Sequence, residues 1–296
     1  MDKKNIESIY ELSPMQQGML FHSLYSDEAD PYISQYMARI QGNPDVAHFQ
    51  RAWQQVVERH TALRTAFHWE DIARPVQIVY RKVKVQLYQH DWRDLSPDSR
   101  QPRLRALVDA DRQRGTILST APAMRLTLIR MEDNVYEFVW SFHHIILDGW
   151  SVQLLLQELF EFYKSFSRGK AIKLKRARPY QDYINWLQKQ DLSKAEAFWR
   201  RTLGGFTELT PVDLQREHGD SPAADAPRES QEVQLSEAAT SALNLLARRY
   251  KITLSTVIQT AWALLLSRYS GHKDIVFGAV VSGRAPDLEQ IESMIG

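Results

Sequence analysis

The sequence of 296 residues contains no cysteine, and this absence excludes several kinds of chemistry together. Disulfide bonds, thiolate nucleophiles and zinc sites built on cysteine all need the missing side chain. The absence is compatible with a reducing compartment, in which disulfides are rare. Candidate functional residues therefore have to be sought among the other polar side chains.

The sequence also has almost no excess of charge of one sign. Lys and Arg total 37 and Asp and Glu total 36, which leaves a net charge of +1. A dedicated nucleic-acid-binding protein normally carries a basic excess, so the composition argues against nucleic acid as a partner. The hydrophobic fraction of 44% and the charged fraction of 25% are instead typical of a globular chain.

Long hydrophobic runs are missing as well. The longest strongly apolar stretch, AWALLL at 261–266, is far shorter than the ~20 residues that cross a membrane. Residues 1–10 are charged and lack the apolar centre of a signal peptide. We therefore expect a cytoplasmic protein without a membrane partner.

Helical and strand-like patterns are mixed along the chain, which predicts an α/β fold. Helices are predicted at 13–25, 45–62, 97–114, 151–167, 179–190, 193–203, 236–250 and 254–269. Strands are predicted at 33–41, 64–69, 75–80, 83–88, 123–131, 135–147, 231–235 and 274–282. The basic run 170–178 is the expected boundary between a domain at 1–175 and a second at 176–296, and the polar stretch 213–229 is an expected linker. Because the sequence stops soon after a buried-looking strand, we expect the second domain to be incomplete.

Two adjacent histidines precede an Asp-Gly turn in the segment HHIILDGWS at 143–151. Successive side chains of a strand point to opposite faces, so His143 and His144 cannot bind one metal ion together, and no HExxH helix is present. A histidine at the end of a central strand lies where a sheet opens into a crevice, which is a common position for catalytic groups. From the residues alone, the alternative stays open that both histidines are satisfied core groups. A carboxylate such as Asp148 often only caps a helix or pairs with an arginine.

Five segments, in this order along the chain, resemble the motifs of condensation domains from nonribosomal peptide synthetases. The segment 143–151 is similar to the HHxxxDGxS signature of that family, which belongs to the acyltransferases with the chloramphenicol acetyltransferase-like fold. The other four are LSPMQQGMLFHSL at 12–24, RHTALRTAF at 59–67, YQDYINWLQKQ at 180–190 and DIVFGAVVSGRAP at 274–286. Together they extend across nearly the whole chain.

The resemblance implies two similar α/β halves, each with a mixed sheet flanked by helices, around a tunnel. Residues 1–175 would form the first half and residues 176–296 only part of the second, so activity of the chain by itself is left open. Donor and acceptor peptidyl carrier proteins, whose phosphopantetheine arms hold the thioesters, would reach the tunnel from opposite ends. An adenylation domain would be adjacent in the synthetase. No cofactor bound directly by the chain is expected.

The reaction that the resemblance implies is attack of the acceptor's α-amine on the donor's thioester, which forms an amide. His144, the second histidine of the motif, is the implied catalytic residue. A free α-amine has a pKa of about 7.7–8 and is partly neutral at neutral pH, so His144 could act as a base or could position the amine. Gly149 is expected to let the backbone approach the substrate, and its N–H to stabilise the oxyanion. His143 is expected to anchor the strand.

The remaining candidates are structural or line the tunnel. Asp148 is expected to form an ion pair, with Arg284 as the first choice of partner and Arg64 or Arg59 as the next. The residues expected near the tunnel are Ser13, Gln16, Trp150 and Ser151. Ser13 and Gln16 also have the spacing of a helix capping box, and Ser151 is the expected cap of the helix at 151–167.

Three rival functions share features with this interpretation. An epimerisation domain has the same histidine motif but inverts an α-carbon. An acyltransferase that uses coenzyme A would share the fold and the histidine, but would not be expected to match the other four motifs. A non-catalytic carrier-docking module usually has a degraded motif, whereas the motif at 143–151 is intact. The start at 13–16 (SPMQ) and the DGWS at 148–151 favour condensation, with an L-configured donor.

Overall fold

The computed structural model describes residues 3–25, 30–206, 232–284 and 287–296. The chain divides into two compact units, the first of Met1–Asp191 with Ser282–Gly296 and the second of Leu192–Val281. The predicted linker at 213–229 lies outside the described residues. The functional division at residue 175 stays a prediction.

The described residues of the first unit form two sheets. Their strands are β1 (Ile6–Glu11), β2 (Ile33–Gln41), β3 (Thr65–His68), β4 (Val76–Tyr80), β5 (Leu87–Asp91), β6 (Met124–Glu132) and β7 (Val135–His143). One sheet is antiparallel and has the order β1-β4-β3. The other is mixed and has the order β2-β7-β6-β5, in which β5 and β6 run parallel and the other pairs antiparallel.

Helices flank the sheets of the first unit and form most of the regular structure in the second. The first unit has α1 (Pro14–Tyr25), α2 (Val46–Arg59), α3 (Pro97–Arg114), α4 (Gly149–Ser167) and α5 (Gln181–Leu187). The second unit has α6 (Leu192–Thr202), α7 (Glu237–Tyr250) and α8 (Leu254–Ser270). The predicted helix at 45–62 is shorter than expected, because His60 takes an extended backbone conformation and ends α2.

Strand β7 lies between β2 and β6 and is buried on both faces. One face packs into the main core and the other into a smaller core with α3. The main-core side chains are Tyr136, Phe138, Trp140 and Phe142. Trp140 contacts Trp53 of α2 with ring centroids 4.8 Å apart, while Val139 on the opposite face joins Leu104 of α3. Burial of each large apolar side chain contributes roughly 1.5–3 kcal/mol, so this strand is a rigid support for whatever follows it.

Two strand predictions in the first unit were wrong in their bounds. The strand predicted at 135–147 ends at His143, and Ile145, Ile146 and Leu147 are buried in the turn that follows. Their apolar character extended the apparent strand, because a buried turn and a buried strand have the same composition. The strand predicted at 83–88 is β5, which begins at Leu87.

Two strand predictions at 231–235 and 274–282 were also wrong for the part of the chain that the structure describes. Residues 232–235 and 274–282 have no regular secondary structure. Alternating apolar residues favour an extended backbone, but a stable strand needs neighbours that offer backbone hydrogen bonds and an apolar face. The pattern at these positions was therefore not sufficient for a strand.

Candidate active site

His144 lies in the turn directly after β7. Its backbone N–H donates to the carbonyl of Tyr32 at 2.8 Å, which ties the turn to the start of β2. The side chain is half-buried, and among the described residues neither ring nitrogen has a hydrogen-bond partner. The imidazole is therefore held at the edge of a rigid sheet with both nitrogens available to a ligand.

His143 is fully buried, and its hydrogen bonds determine its tautomer. The Ile145 N–H donates to Nδ1 at 3.0 Å, so the ring proton lies on Nε2. Nε2 lies 3.0 Å from a carboxylate oxygen of Asp30 and 3.0 Å from the Ser23 hydroxyl. Burial raises the pKa of Asp30, but hydrogen bonds from His143 and the Tyr32 N–H outweigh burial and hold that pKa below its ordinary value. His143 thus connects the end of β7 to α1 and to the segment before β2.

Asp148 caps α4 and pairs with Arg284. Its Oδ1 accepts from the Ser151 N–H at 2.7 Å, and the Arg284 guanidinium donates to both carboxylate oxygens at 3.0 Å. Arg284 is the partner expected first from the sequence. The prediction that Ser151 caps this helix was wrong: Ser151 lies in the first turn, and its hydroxyl accepts from Arg284 at 3.2 Å. Aspartate and serine are both good helix caps. Because Asp148 comes first in the chain and takes the cap position, Ser151 lies inside the helix.

Arg59 and Arg64, the other expected partners of Asp148, pair elsewhere. Arg59 Nε donates to Glu158 of α4 at 2.9 Å, and His60 Nε2 lies 2.7 Å from the same carboxylate. Arg64 donates to Glu7 at 2.6 Å and to the carbonyl of Tyr80. The two arginines therefore join α2 and the following turn to α4 and to the antiparallel sheet.

Glu158 is the half-buried carboxylate that Arg59 and His60 share. Burial raises the pKa of Glu158, but the hydrogen bond and charge of His60 and the guanidinium of Arg59 outweigh burial and hold that pKa below its ordinary value. The network lies beside a cavity of about 550 Å³ whose lining includes Arg59, Arg64 and Phe162. We place the candidate site at the histidine turn and not in this cavity, because the charged side chains of Arg59 and Arg64 that line the cavity are already paired.

Gly149 is the first residue of α4 and is exposed. Among the described residues its N–H has no hydrogen-bond partner, as is usual for the first turn of a helix. A Cβ atom added at Gly149 would meet nothing within 4 Å. Its backbone is not in the left-handed region, so the fold itself does not require glycine here.

The other side chains of the helix start are held by the segment that carries Arg284. Trp150 is 49% exposed, and its Nε1 donates to the carbonyl of Glu292 at 2.8 Å. Arg284 lies over the Trp150 ring, 5.7 Å from its centroid. Tyr180, which precedes α5, and Trp186 within it pack with Ile291 and Met294.

Ser13 and Gln16 form the predicted capping box at the start of α1. The Gln16 N–H donates to Ser13 Oγ at 3.1 Å, and the Ser13 N–H donates to Gln16 Oε1 at 3.0 Å. Gln16 Nε2 also donates to the carbonyl of Ile145 at 3.0 Å, one residue after His144. Gln77 of β4, which sequence reasoning did not select, is 1% exposed and donates to Gln16 Oε1 at 3.0 Å. An amide within the apolar strand VQIVY at 76–80 was the signal for it.

Comparison with known proteins identifies the family. The condensation-domain family model matches residues 6–296. One of the linear gramicidin synthase proteins of Brevibacillus parabrevis is 44% identical over 295 residues, which cover 99% of this chain and 4% of that protein. Bacitracin synthase 3 of Bacillus licheniformis is 39% identical over 291 residues, which cover 98% of this chain and 4% of that protein.

Solved structures show the same fold. A variant of the starter condensation domain of rhizomide synthetase matches with a TM-score of 0.72 at 22% identity, over 98% of this chain and 66% of that chain. The first condensation domain of the calcium-dependent antibiotic synthetase matches with a TM-score of 0.77 at 19% identity, over 98% of this chain and 68% of that chain. The α/β fold with sheets flanked by helices is therefore the expected one.

The chain belongs to the condensation-domain family of nonribosomal peptide synthetases. This confirms the family that its five motifs resemble. The chain spans a small part, 4%, of the length of the gramicidin and bacitracin synthases that it matches. Within the described ranges, no helix is both long and apolar enough to cross a membrane.

Proposed function

We propose that this chain carries the catalytic histidine for amide formation between two carrier-bound thioesters. The observation that supports the proposal is the His144 imidazole, which is held at the end of a central strand without a side-chain partner among the described residues. In the reaction, the acceptor's α-amine attacks the donor's thioester carbonyl, a C–N bond forms and the C–S bond breaks. The amine's proton leaves as the intermediate forms, and the phosphopantetheine thiolate that departs takes up a proton.

His144 accepts that proton or positions the amine that carries it. An α-amine with a pKa of about 7.7–8 is partly neutral at neutral pH, so a modest base in hydrogen-bonding reach is sufficient. Asp148 has a different role, because its carboxylate is occupied by the Ser151 N–H and by Arg284. Asp148 and Arg284 hold the start of α4 in place beside the histidine turn.

The oxyanion of the tetrahedral intermediate is stabilised by the start of α4. The Gly149 N–H is free among the described residues, and a helix N-terminus favours negative charge. Preorganised donors of this kind typically contribute 10²–10³-fold to turnover. The open space beside the Gly149 Cα leaves room for the substrate.

The partners follow from the family and from its curated members, which are peptide synthases. Donor and acceptor peptidyl carrier proteins supply the two thioesters on phosphopantetheine arms, next to an adenylation domain of the same synthetase. Ser13, Gln16, Trp150 and Ser151 border the substrate tunnel. The protein binds neither nucleic acid nor a metal ion and acts in the cytoplasm.

The test is an amide-formation assay with one loaded donor carrier and one loaded acceptor carrier. Because the chain covers 66% of a solved condensation domain, the assay includes this chain and a longer version that spans a full domain. We expect the longer version to form the amide with the donor's configuration unchanged. A donor residue that is inverted at its α-carbon without amide formation would instead identify an epimerisation domain. Carrier binding without either product would identify a docking module.

A further inference from the structure

We propose that Gln77 is a positioning residue, which acts through the Gln16 amide to hold the turn that carries His144. This inference rests on the proposed function for its effect on turnover, and on geometry alone for its effect on the turn. Gln77 lies on β4 of the antiparallel sheet, whereas the turn follows β7 of the mixed sheet. The two glutamines therefore connect one sheet to the end of the other.

Both backbone groups of Ile145, the residue after His144, are held by side chains. The Ile145 N–H donates to His143 Nδ1 at 3.0 Å, and the Ile145 carbonyl accepts from Gln16 Nε2 at 3.0 Å. With the bond from the His144 N–H to the Tyr32 carbonyl at 2.8 Å, three hydrogen bonds fix the backbone at the histidine. The bond from Gln16 depends in turn on a second side chain, Gln77, which donates to the Gln16 amide oxygen.

Gln77 and the Ser13 N–H together determine which end of the Gln16 amide faces the turn. Gln16 Oε1 accepts from two donors, the Ser13 N–H at 3.0 Å and Gln77 Nε2 at 3.0 Å. Two donors on one side require the oxygen there, so the NH₂ group points to the Ile145 carbonyl. Gln77 is itself oriented, because its Nε2 also donates to the carbonyl of Glu11 at 3.0 Å.

Gln77, Gln16 and Ile145, which together form a hydrogen-bond relay to the turn, are all buried. Gln16 is 6% exposed, Gln77 1% and Ile145 2%. Water therefore cannot easily replace a lost bond, and an unpaired buried amide group is costly. Loss of the Gln77 donor leaves only the Ser13 N–H to orient the Gln16 amide. The amide then rotates more readily, which weakens its bond to the Ile145 carbonyl and loosens the turn. A displacement of about 1 Å at a reacting group can lower turnover about 100-fold.

Two variants remove the relay in different ways, and a third is the control. Gln77→Met removes both donors at similar volume. Gln16→Glu keeps an acceptor for Ser13 and Gln77, and so keeps the capping box, but places a carboxylate oxygen against the Ile145 carbonyl. Gln17→Glu makes the same change on the next, exposed residue of α1, whose side chain donates to the carbonyl of Leu12 instead.

The first readout is hydrogen exchange at the Ile145 and Ile146 amides of the 296-residue chain, with circular dichroism as the check on folding. We expect exchange at least about 10-fold faster in Gln77→Met and Gln16→Glu and unchanged in Gln17→Glu. The second readout is amide formation by the full-domain version. We expect kcat to fall about 10- to 100-fold in the two relay variants, with KM for both carriers nearly unchanged.

Unchanged exchange at the turn would overturn the inference, and so would faster exchange with unchanged kcat. A lower kcat with an unchanged turn would do the same, since Gln77 would then act by another route. If the parent forms no amide, the proposed function fails, and the exchange data alone decide whether Gln77 holds the turn. If Gln77→Met does not fold, Gln77→Glu, which keeps the volume and removes the NH₂ donor to Gln16, decides in its place.

Discussion

At the residue scale, Gly149 is a position where the proposed function requires glycine and the fold does not. Nothing lies within 4 Å of a Cβ placed there, and the backbone suits any L-residue. A glycine in a helix is normally less stable than alanine by roughly 0.5–1 kcal/mol. The fold therefore does not require glycine here, and in the proposed reaction the substrate would occupy the space that a side chain would fill.

Gly149→Ala is predicted to fold at least as stably as the parent and to lose turnover. The free energy of unfolding should be unchanged or higher by up to about 1 kcal/mol, while the methyl group lowers kcat/KM about 10-fold or more by displacing the thioester. Denaturant unfolding and the amide assay measure the two effects. Gln157→Ala, on the exposed side of the same helix, is the matched control. Full activity of Gly149→Ala would show that the open space is not used.

The pair of the half-buried Asp30 and the buried His143 gives a prediction for pH. The pKa of Asp30 is held below its ordinary value of about 3.9. A carboxylate of this kind stabilises the fold above that ordinary value, and the contribution is lost as the pH falls through the lower pKa of the folded state. Asp30→Asn should therefore lower the free energy of unfolding by about 1–3 kcal/mol at pH 6.

The difference between parent and Asp30→Asn should shrink below about pH 4. Urea unfolding at pH 6, 5, 4 and 3.5 follows it. Asp94→Asn, an exposed aspartate of the same unit, should show no such difference at any pH. A difference that stays constant down to pH 3.5 would contradict the assignment of the carboxylate to His143.

At the element scale, Asp148 sets the start of α4, because its carboxylate accepts from the Ser151 N–H in the first turn. Arg284 holds that carboxylate in place by donating to both of its oxygens. Asparagine would keep the cap and lose the ion pair, whereas alanine would lose both. We predict that Asp148→Asn lowers the free energy of unfolding by about 1–3 kcal/mol. Asp148→Ala should lower it by about 1 kcal/mol more.

The cap of α2 supplies the control for this prediction. Asp45 accepts from the His48 N–H at 2.8 Å and has no arginine partner among the described residues. Asp45→Asn should be nearly neutral, and Asp45→Ala should cost about 1 kcal/mol. If Asp148→Asn is as mild as Asp45→Asn in denaturant unfolding, the pair with Arg284 contributes nothing.

The bounds of an element could be predicted from the sequence where the residues that determine them lie within it or next to it. The helix at 97–114 was predicted to the residue, because a proline begins it and Gly115 ends it. The strand at 33–41 was also predicted to the residue, because the alternation within its own sequence is that of a strand. In the structure it pairs with β7 over its whole length. The strand before the histidines was predicted too long, because hydrophobicity alone does not distinguish a buried turn from a strand.

The candidate site shows the same limit. His143, His144 and Asp148 are close in sequence and were found as one motif. Asp30 and Gln77 were missed, because they reach the turn only through the fold: Asp30 is 113 residues from His143, and Gln77 is 61 residues from Gln16. Local patterns carry no signal for such distant hydrogen bonds, beyond the presence of a polar residue in an apolar strand.

At the scale of the whole molecule, the two units differ in how much they bury. The first contains the large core around Trp53 and Trp140. Among the described residues of the second, only Ala247 and Leu266 are buried, and large apolar side chains such as Trp262 and Val280 are exposed. The free energy of local opening is lower where fewer apolar contacts are buried, so the second unit should open more easily.

Limited proteolysis is predicted to cut within residues 192–281 before it cuts within residues 30–191. Mass spectrometry of the early fragments measures the order. The segment 287–296 should stay with the first unit after cleavage, because Trp150 and Arg178 bind its carbonyls. Early cuts in α2 or β7 would contradict the assignment of the main core.

The central claim is that His144 acts on the substrate and does not support the fold. The most direct measurement is the amide-forming turnover of His144→Ala in the full-domain version, with its free energy of unfolding determined alongside. His272→Ala, an exposed histidine of the second unit, is the control for loss of an imidazole. We predict turnover lowered by about 100-fold or more, with stability within about 0.5 kcal/mol of the parent, since the ring has no side-chain partner to lose. Turnover close to that of the parent, or a loss of turnover that merely follows unfolding, would contradict the account.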